Sequence, residues 1–516
     1  MLETDNNLIQ EKLRKLEELR SAGVNPYPYS FDKTHNASEL HEQYEKLAAE
    51  EHTKDTVKVA GRIMQMRKMG KATFMHLLDS TGRIQIYLRK DDVGEENYNL
   101  LKLVSMGDFL GVGGEIFKTR TGEVSVYVKE FKILCKGIRP LPEKYHGLKD
   151  TELRYRQRYL DLIMNPEVKE TFQKRSLMIH YIREYFHNLN YFEVETPVLQ
   201  TIYGGANARP FITHINAWDM KMFLSISPEL HLKRLIVGGF EKVYTICKNF
   251  RNEGVDKTHN PEFTMLEYYQ SMIDRDKVIE IYENCVAHVC KKLFNTTKIK
   301  RGDIELDFSP PWPRMSMSDA LKKFADLDVN SMSKEQVQDL VEEKCLDYDG
   351  DFTWGLGVEI LFEHLCEDKL IQPTHILDHP YESTPLCKAN RDDNRFVERV
   401  ESYCMGAEMC NGYSELNDPI EQRRLLEEQA RQLNAGSDEA HPMDEDFVNA
   451  IEYGMPPTGG LGFGVDRLAI VLLGVESIRD VILFPTMKPV KEEESGGNTD
   501  SKKCAESNDA KTESTE

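Results

Sequence analysis

The sequence lacks most of the short signatures that would place it quickly. No CxxC pair occurs among its ten cysteines, which lie singly from Cys135 to Cys504. The nearest neighbours, Cys285 with Cys290 and Cys404 with Cys410, do not have zinc-ligand spacing, so free thiols in a reducing compartment are expected. There is no GxxxxGK[ST] loop and no GxGxxG turn, because GLGFGV ends without the last glycine. Walker-type and Rossmann-type nucleotide sites are thereby excluded. The longest strongly apolar run near the end, Leu468 to Val475, is far too short to span a bilayer. The first residues, MLETDNNLIQ, carry neither a secretory nor a transit pattern, which points to the cytoplasm. No internal repeat is visible.

The 516 residues exceed what one core supports, so two or three domains are expected. The formal charge of −21 argues against non-specific coating of nucleic acid or membrane. One region runs the other way. Residues 56–90 hold Lys58, Arg62, Arg67, Lys68, Lys71, Arg83, Arg89 and Lys90 against Asp79 alone. A local excess of +7 in an acidic chain suggests a polyanion partner.

Residues 1–55 form a helical region, with a helix over 6–22 capped by Asp5 or Asn6 and ended by Gly23 and Pro26. Residues 56–137 read as about five short strands with turns at Ser80-Thr81-Gly82 and Thr121-Gly122. With the basic surface this suggests a small Greek-key barrel of the OB type, in which Phe74, Gln85 and Glu123 are candidates for stacking and reading bases. A linker over 138–150 leads to a large domain over 151–490, with a helical insertion at about 275–350. Strand-like runs at Lys242–Phe250, Phe263–Tyr268 and Ile478–Phe484, mixed with helices and without βαβ alternation, indicate an α+β fold around an antiparallel sheet. The acidic tail, 491–516, has no large apolar residue and is expected to be disordered.

The densest chemistry is FRNEGVDKTHNPEFTMLEYY, residues 250–269. Arginine forks onto phosphate or carboxylate, aromatic faces stack on bases, and glutamates read amines or hold Mg²⁺. Three further clusters join it: YFEVETPVLQTIYGGANARP at 191–210, ESYCMGAEMCNGYSELN at 401–417, and GGLGFGVDR at 459–467. Glu401, Glu408 and Glu415 recur every seven residues. An odd interval alternates faces on a strand, so a bend or bulge is required if all three line one site.

Together these clusters resemble the class II aminoacyl-tRNA synthetases, and most closely the lysyl-tRNA synthetases. YFEVETP is similar to motif 1, FRNEG…HNPEFT to motif 2 and GFGVDR to motif 3; RYRQRYLDLI, GGANARPF, PELHLKRLIVGG and NGYSELND add to the likeness. The resemblance covers residues 56 to 489. It implies a class II core, a mixed and largely antiparallel sheet flanked by helices, plus an N-terminal five-stranded OB barrel that binds the anticodon. It also implies a homodimer built through motif 1, Mg²⁺ as cofactor, and ATP, L-lysine and tRNA(Lys) as partners, with no membrane.

Residue roles follow from the resemblance alone. Arg251 matches the arginine on the α-phosphate and the amino-acid carboxylate, and Arg467 the one over adenine that reaches the γ-phosphate. Glu253, His259, Asn260 and Phe263 match ATP-binding positions. Glu401 and Glu408 match the Mg²⁺ carboxylates. Gly205, Glu229, Glu267, Tyr269, Asn411 and Glu415 match the lysine pocket. Arg67, Phe74, Gln85 and Glu123 match anticodon contacts.

Charge agrees with lysine, since a cationic substrate end asks for an acidic pocket, whereas a pocket for aspartate would require an arginine or lysine. The sequence departs from the family at Ser225, Ser227, Thr245 and Cys387, where arginine, alanine, glutamate and alanine are usual. Cys387 and Cys410 are expected to be small buried residues close to the pocket. A long basic N-terminal arm is absent. Two alternatives stand behind the leading reading. A protein-lysylating paralogue is disfavoured by the barrel, and a non-catalytic tRNA-binding relative by the presence of Arg251, both Mg²⁺ glutamates and Arg467.

Overall fold

The computed structural model describes residues 6–142, 148–348, 351–435 and 442–490. The tail expected to be disordered, and part of the linker, lie outside the described residues. Two compact units divide at residue 149, the first over Met1–Lys149 and the second over Asp150–Glu516.

The first unit begins with the helix Asn7–Ser21, whose N-cap Asn6 side chain accepts from Leu8 N. Ile9, Leu16 and Leu19 bury one face, as their spacing requires. Lys12 is buried with them. Its ammonium reaches out of the apolar stripe to Met106 O and Gly137 O, at 3.0 and 3.3 Å.

Five strands follow: His52–Met69, Ala72–Leu78, Arg83–Arg89, Phe109–Lys118 and Val124–Cys135. They close in the order first, second, third, fifth, fourth and back to the first. The third and fifth pair in parallel and the rest antiparallel. Period-2 alternation points Val57, Val59, Ile63, Met75, Leu77, Ile84, Ile86 and Leu88 into a common core. Closure leaves no edge for pairing with other chains.

The second unit is built on one eight-stranded sheet. Its order is Arg314–Ser316, Thr374–Pro380, Phe396–Cys404, Ala407–Ser414, Thr458–Gly464, Glu262–Ser271, Lys242–Phe250, Phe192–Glu193. The two outermost pairings are parallel and those between are antiparallel. The helices Pro166–Asn188, Arg275–Phe294 and Val465–Leu473 cover one face, burying Phe186, Tyr268, Tyr282 and Phe463 among others. Helices between 317 and 365 carry a smaller core of their own around Val337, Leu361 and Phe362. On the opposite face Val243 and Tyr269 join a third apolar cluster with Leu232, Ile236 and Phe447, and the rest of that face bears the polar and charged side chains of the cavity.

One element differs from the sequence reading. Ile478–Phe484 is not a strand. Ser477 caps a single helical turn, Ile478–Val481, with Asp480 returning a bond to the Ser477 amide at 3.2 Å. This capping box overrides the β-branched composition of the run.

Candidate active site

The open face of the sheet holds a cavity of about 370 Å³. The strand Glu262–Ser271 supplies Phe263, Met265, Glu267 and Tyr269 to it, while Leu266 and Tyr268 point into the helical core behind. One pleat thus separates chemistry from packing.

The seven-residue glutamate spacing has two structural causes. Met405 and Gly406, both at positive φ, turn the chain between Phe396–Cys404 and Ala407–Ser414. Met409 then falls out of the pairing, which passes from Ser402↔Cys410 to Tyr403↔Glu408. This bulge turns Glu408 onto the face already shared by Asn411, Tyr413 and Glu415, and Glu401 lies opposite Asn411.

At one end of the cavity, Glu229, Glu267 and Glu415 converge. Glu229 opens the helix Glu229–Val237, and all three are at most 4% exposed. Ser227 Oγ donates to Glu267 Oε1 at 2.8 Å and accepts from Glu229 N at 3.1 Å. Tyr269 OH donates to Glu267 Oε2 at 3.1 Å. Burial pushes Glu267 and Glu415 up to about 8, each reinforced by the charge on Glu229, and raises Glu229 as well. Glu415 Oε1 is buried without a hydrogen-bond partner among the described residues, and Oε2 meets a single ammonium, that of Lys233.

Gly205 approaches from the side at φ +86°, and a Cβ there would come within 2.9 Å of Glu229 Cβ and Ser227 Oγ. Only glycine fits this place.

Lys233, one helical turn beyond Glu229, has no role in the sequence reading. Its Nζ is wholly buried, 2.5 Å from Glu229 Oε1 and 2.5 Å from Glu415 Oε2. Hydrogen-bond geometry is met only toward Glu229. A pocket for aspartate would require an arginine or lysine, and a lysine is present, but it pairs with two of the three carboxylates and the pocket remains acidic. Burial opposes its charge, yet the two glutamates raise its pKa above the usual lysine value.

The remaining predicted residues line the same cavity toward the chain turn at 251–263. Arg251 lies over the Phe263 ring, 5.2 Å from its centroid, and its Nε is buried and unpartnered among the described residues. Burial lowers its pKa, the signature of a cation short of a counter-charge. Asn260 donates to Glu262 O at 2.6 Å while its Oδ1 stays buried and unpaired. Glu253 accepts from Arg209 N at 3.3 Å. Asp256 accepts bonds from Thr258 N, His259 N and the His259 ring at 2.6, 2.7 and 2.9 Å. It thereby sets the ring that faces Arg467 Nη2 at 3.2 Å.

Arg467 begins the helix that follows the strand Thr458–Gly464. It donates to Glu408 O and Oε2, both at 2.9 Å. Glu401 pairs with Arg399 and accepts from Tyr403 OH at 2.6 Å. No three His, Cys, Asp or Glu side chains converge as a ready metal cage among the described residues. Two carboxylates facing a cavity fit the habit of Mg²⁺, which binds through one or two carboxylates plus substrate phosphates.

The departures from the family also take their places. Ser225 accepts from Gln200 Nε2 at 3.1 Å, and Thr245 pairs across from Glu267. Cys387 is buried in a backbone bridge with Glu415, and Cys410 lines the cavity and donates to Ser402 Oγ at 2.9 Å.

The first unit carries a separate cavity of about 480 Å³ that brings together Arg67, Phe74, Gln85 and Glu123. Phe74 packs on Tyr87 with centroids 4.4 Å apart. Glu123 receives Gln85 Nε2 at 2.5 Å and meets His76 Nε2 at 2.7 Å. His76 was not foreseen, although it stands two residues after Phe74 and so on the same face of its strand.

Among the described residues no helix is long and apolar enough to cross a membrane. Residues 150–488 match the family described as tRNA synthetases class II (D, K and N), and residues 57–134 the OB-fold nucleic acid binding domain. The chain is 49% identical over 492 residues to the lysine–tRNA ligase of Clostridium botulinum, covering 94% of this chain and 97% of that protein. To the lysine–tRNA ligase of Clostridium novyi it is 50% identical, covering 94% and 95%. To that of Clostridium perfringens it is 51% identical, covering 93% and 97%.

Proposed function

Because the chain belongs to the class II tRNA synthetases of the D, K and N group, we infer that it attaches L-lysine to tRNA(Lys) with ATP, through a lysyl-adenylate. The observation that carries the choice of amino acid is the buried trio Glu229, Glu267 and Glu415, whose only cation within contact among the described residues is Lys233. Such a trio is stable only with added positive charge, and a cationic amino acid supplies it.

The reaction needs no protein nucleophile. A carboxylate oxygen of lysine attacks the α-phosphorus, the bond to the β-phosphate breaks, and pyrophosphate leaves. A terminal ribose hydroxyl of the tRNA then attacks the acyl carbonyl, and AMP leaves. In this reading Arg251 neutralises the substrate carboxylate and α-phosphate, and its unpaired Nε supports that role. Phe263 stacks on adenine, with Arg467 across it, and Glu253, His259 and Asn260 hold the nucleotide. Glu229 takes the α-ammonium beside Gly205, while Glu415 and Tyr269 take the ε-ammonium beside Glu267 and Asn411. Glu401 and Glu408 would hold Mg²⁺, which neutralises phosphate charge when it is bound. Positioning and fixed charge supply most of the rate in such a scheme.

The cavity on the first unit, with Arg67, Phe74, Gln85 and Glu123, is read as the anticodon site. A homodimer is read from the motif 1 region, where Phe192, Val198, Leu199, Ile202 and Ile212 are each 38% exposed or more. Apolar side chains clustered in this way ask for a partner surface. The compartment is read as the cytoplasm. Charging tRNA(Lys) and the same tRNA with an altered anticodon tests the scheme. A lower kcat/KM for the altered tRNA supports it, and equal charging of both overturns the anticodon assignment.

A further inference from the structure

Three carboxylates in a closed pocket would repel one another into protonation, and the structure holds one internal device against this. Lys233 lies on the helix Glu229–Val237, a turn beyond Glu229, with Leu232 and Ile236 buried around it. The carboxyl of Glu415 arrives from the end of the strand Ala407–Ser414. Both contacts from Lys233 Nζ measure 2.5 Å, and neither Lys233 nor Glu415 has any exposed side-chain surface.

We propose that Lys233 is a positioning residue that sets the charge of the lysine pocket by bridging Glu229 and Glu415. Once all three carboxyls are ionised, the form that a bound cation favours, the bridge leaves Glu229, Glu267 and Glu415 two negative charges in excess, the number that the two ammonium groups of a free lysine supply. The substrate carboxylate is left to Arg251. The inference rests on the reading of this cavity as a lysine site.

The charged and titratable groups around the bridge come from every neighbouring element. They are Glu229 on its own helix, Glu267 and Tyr269 on one strand, Glu415 and Tyr413 on another, and Cys387 beyond. Arg399 is the second cation of this surrounding, and it is committed to Glu401. With Lys233 gone, no other cation among these groups lies against Glu229 and Glu415 to favour their ionised forms.

The test uses lysine-dependent exchange of pyrophosphate into ATP by the full chain from pH 6 to 9. Lys233→Met is expected to raise the lysine KM about 30-fold or more, as loss of one partner of a buried pair does. The ATP KM should change less than threefold, by roughly the same reasoning. The pH at which lysine KM reaches half its change should move upward, because the carboxyls lose the charge that favours their ionised form. A residue that merely fills space would not move that midpoint. Lys233→Arg keeps the charge but not the shared geometry, so it should raise the lysine KM and leave the midpoint in place. It carries the test if the methionine variant does not fold. A wild-type lysine KM in either variant, or an unmoved midpoint in Lys233→Met, overturns the proposal. Absence of lysine-dependent exchange in the unmodified protein would instead remove the underlying reading.

Discussion

Ser227 Oγ donates to Glu267 Oε1 at 2.8 Å, at a position where the family resemblance implies alanine. The same hydroxyl accepts from the Glu229 amide at 3.1 Å, so one small side chain sets two of the three pocket glutamates. A hydrogen bond to a charged group contributes about 1.5–3 kcal/mol. Ser227→Ala should therefore raise the lysine KM by roughly tenfold and leave the ATP KM alone. Steady-state exchange kinetics measure both, and an unchanged lysine KM would show that the bond is incidental.

The pocket carboxyls give the protein a pH signature. Glu267 and Glu415 sit at about 8 in the folded chain, above their ordinary carboxyl value, chiefly through burial. Between the ordinary value and 8 the folded chain holds protons that the unfolded chain has released. Stability without substrate should thus fall as pH rises through that window. Lysine supplies the missing positive charge, so its stabilising shift in melting temperature should grow from pH 6 to 8 and level off above. Scanning calorimetry with and without lysine measures this, and a shift independent of pH would contradict it.

Arg251 is half-buried, its Nε has no hydrogen-bond partner among the described residues and burial lowers its pKa, so removing it relieves a cost to the fold. Arg251→Ala should keep or raise the melting temperature while abolishing lysyl-adenylate formation. Normal pyrophosphate exchange in that variant would refute the role given to the arginine.

Gly460 stands against the lysine end of the cavity, where a Cβ would collide with Glu415 Oε1 and the Tyr269 ring. Gly460→Ala should raise the lysine KM far more than the ATP KM. Equal effects on the two would place the collision elsewhere.

Glu123 lies in the other unit, bonded to Gln85 and His76. Glu123→Ala should raise the KM for tRNA(Lys) and leave lysine-dependent exchange at wild-type rate. Loss of exchange would show that the first unit is needed for adenylate formation.

Much of this was legible in the sequence because the signals were local. Alternation of Val57, Val59 and Ile63 announces a strand wherever it occurs, and the 250–269 stretch carries more charge than packing requires, although its second half is an inner strand of the sheet. The family resemblance ordered those signals into a synthetase core and an OB fold. What escaped was tertiary. The odd spacing of Glu401, Glu408 and Glu415 demanded a bend or bulge, but only the structure identifies Met405–Gly406 as the turn and Met409 as the bulge. Lys233 follows Glu229 by one helical turn, a visible pairing, yet Glu415 reaches it through the sheet. The apparent strand at 478–484 misled because two polar residues, Ser477 and Asp480, outweigh the β-branched run.

The central claim is that this cavity activates lysine. Exchange of labelled pyrophosphate into ATP, measured with each of the twenty amino acids in turn, tests it most directly. Rapid exchange with lysine, and rates lower by orders of magnitude with the other nineteen, is the predicted result. Exchange driven by another amino acid, or none with lysine, would contradict it.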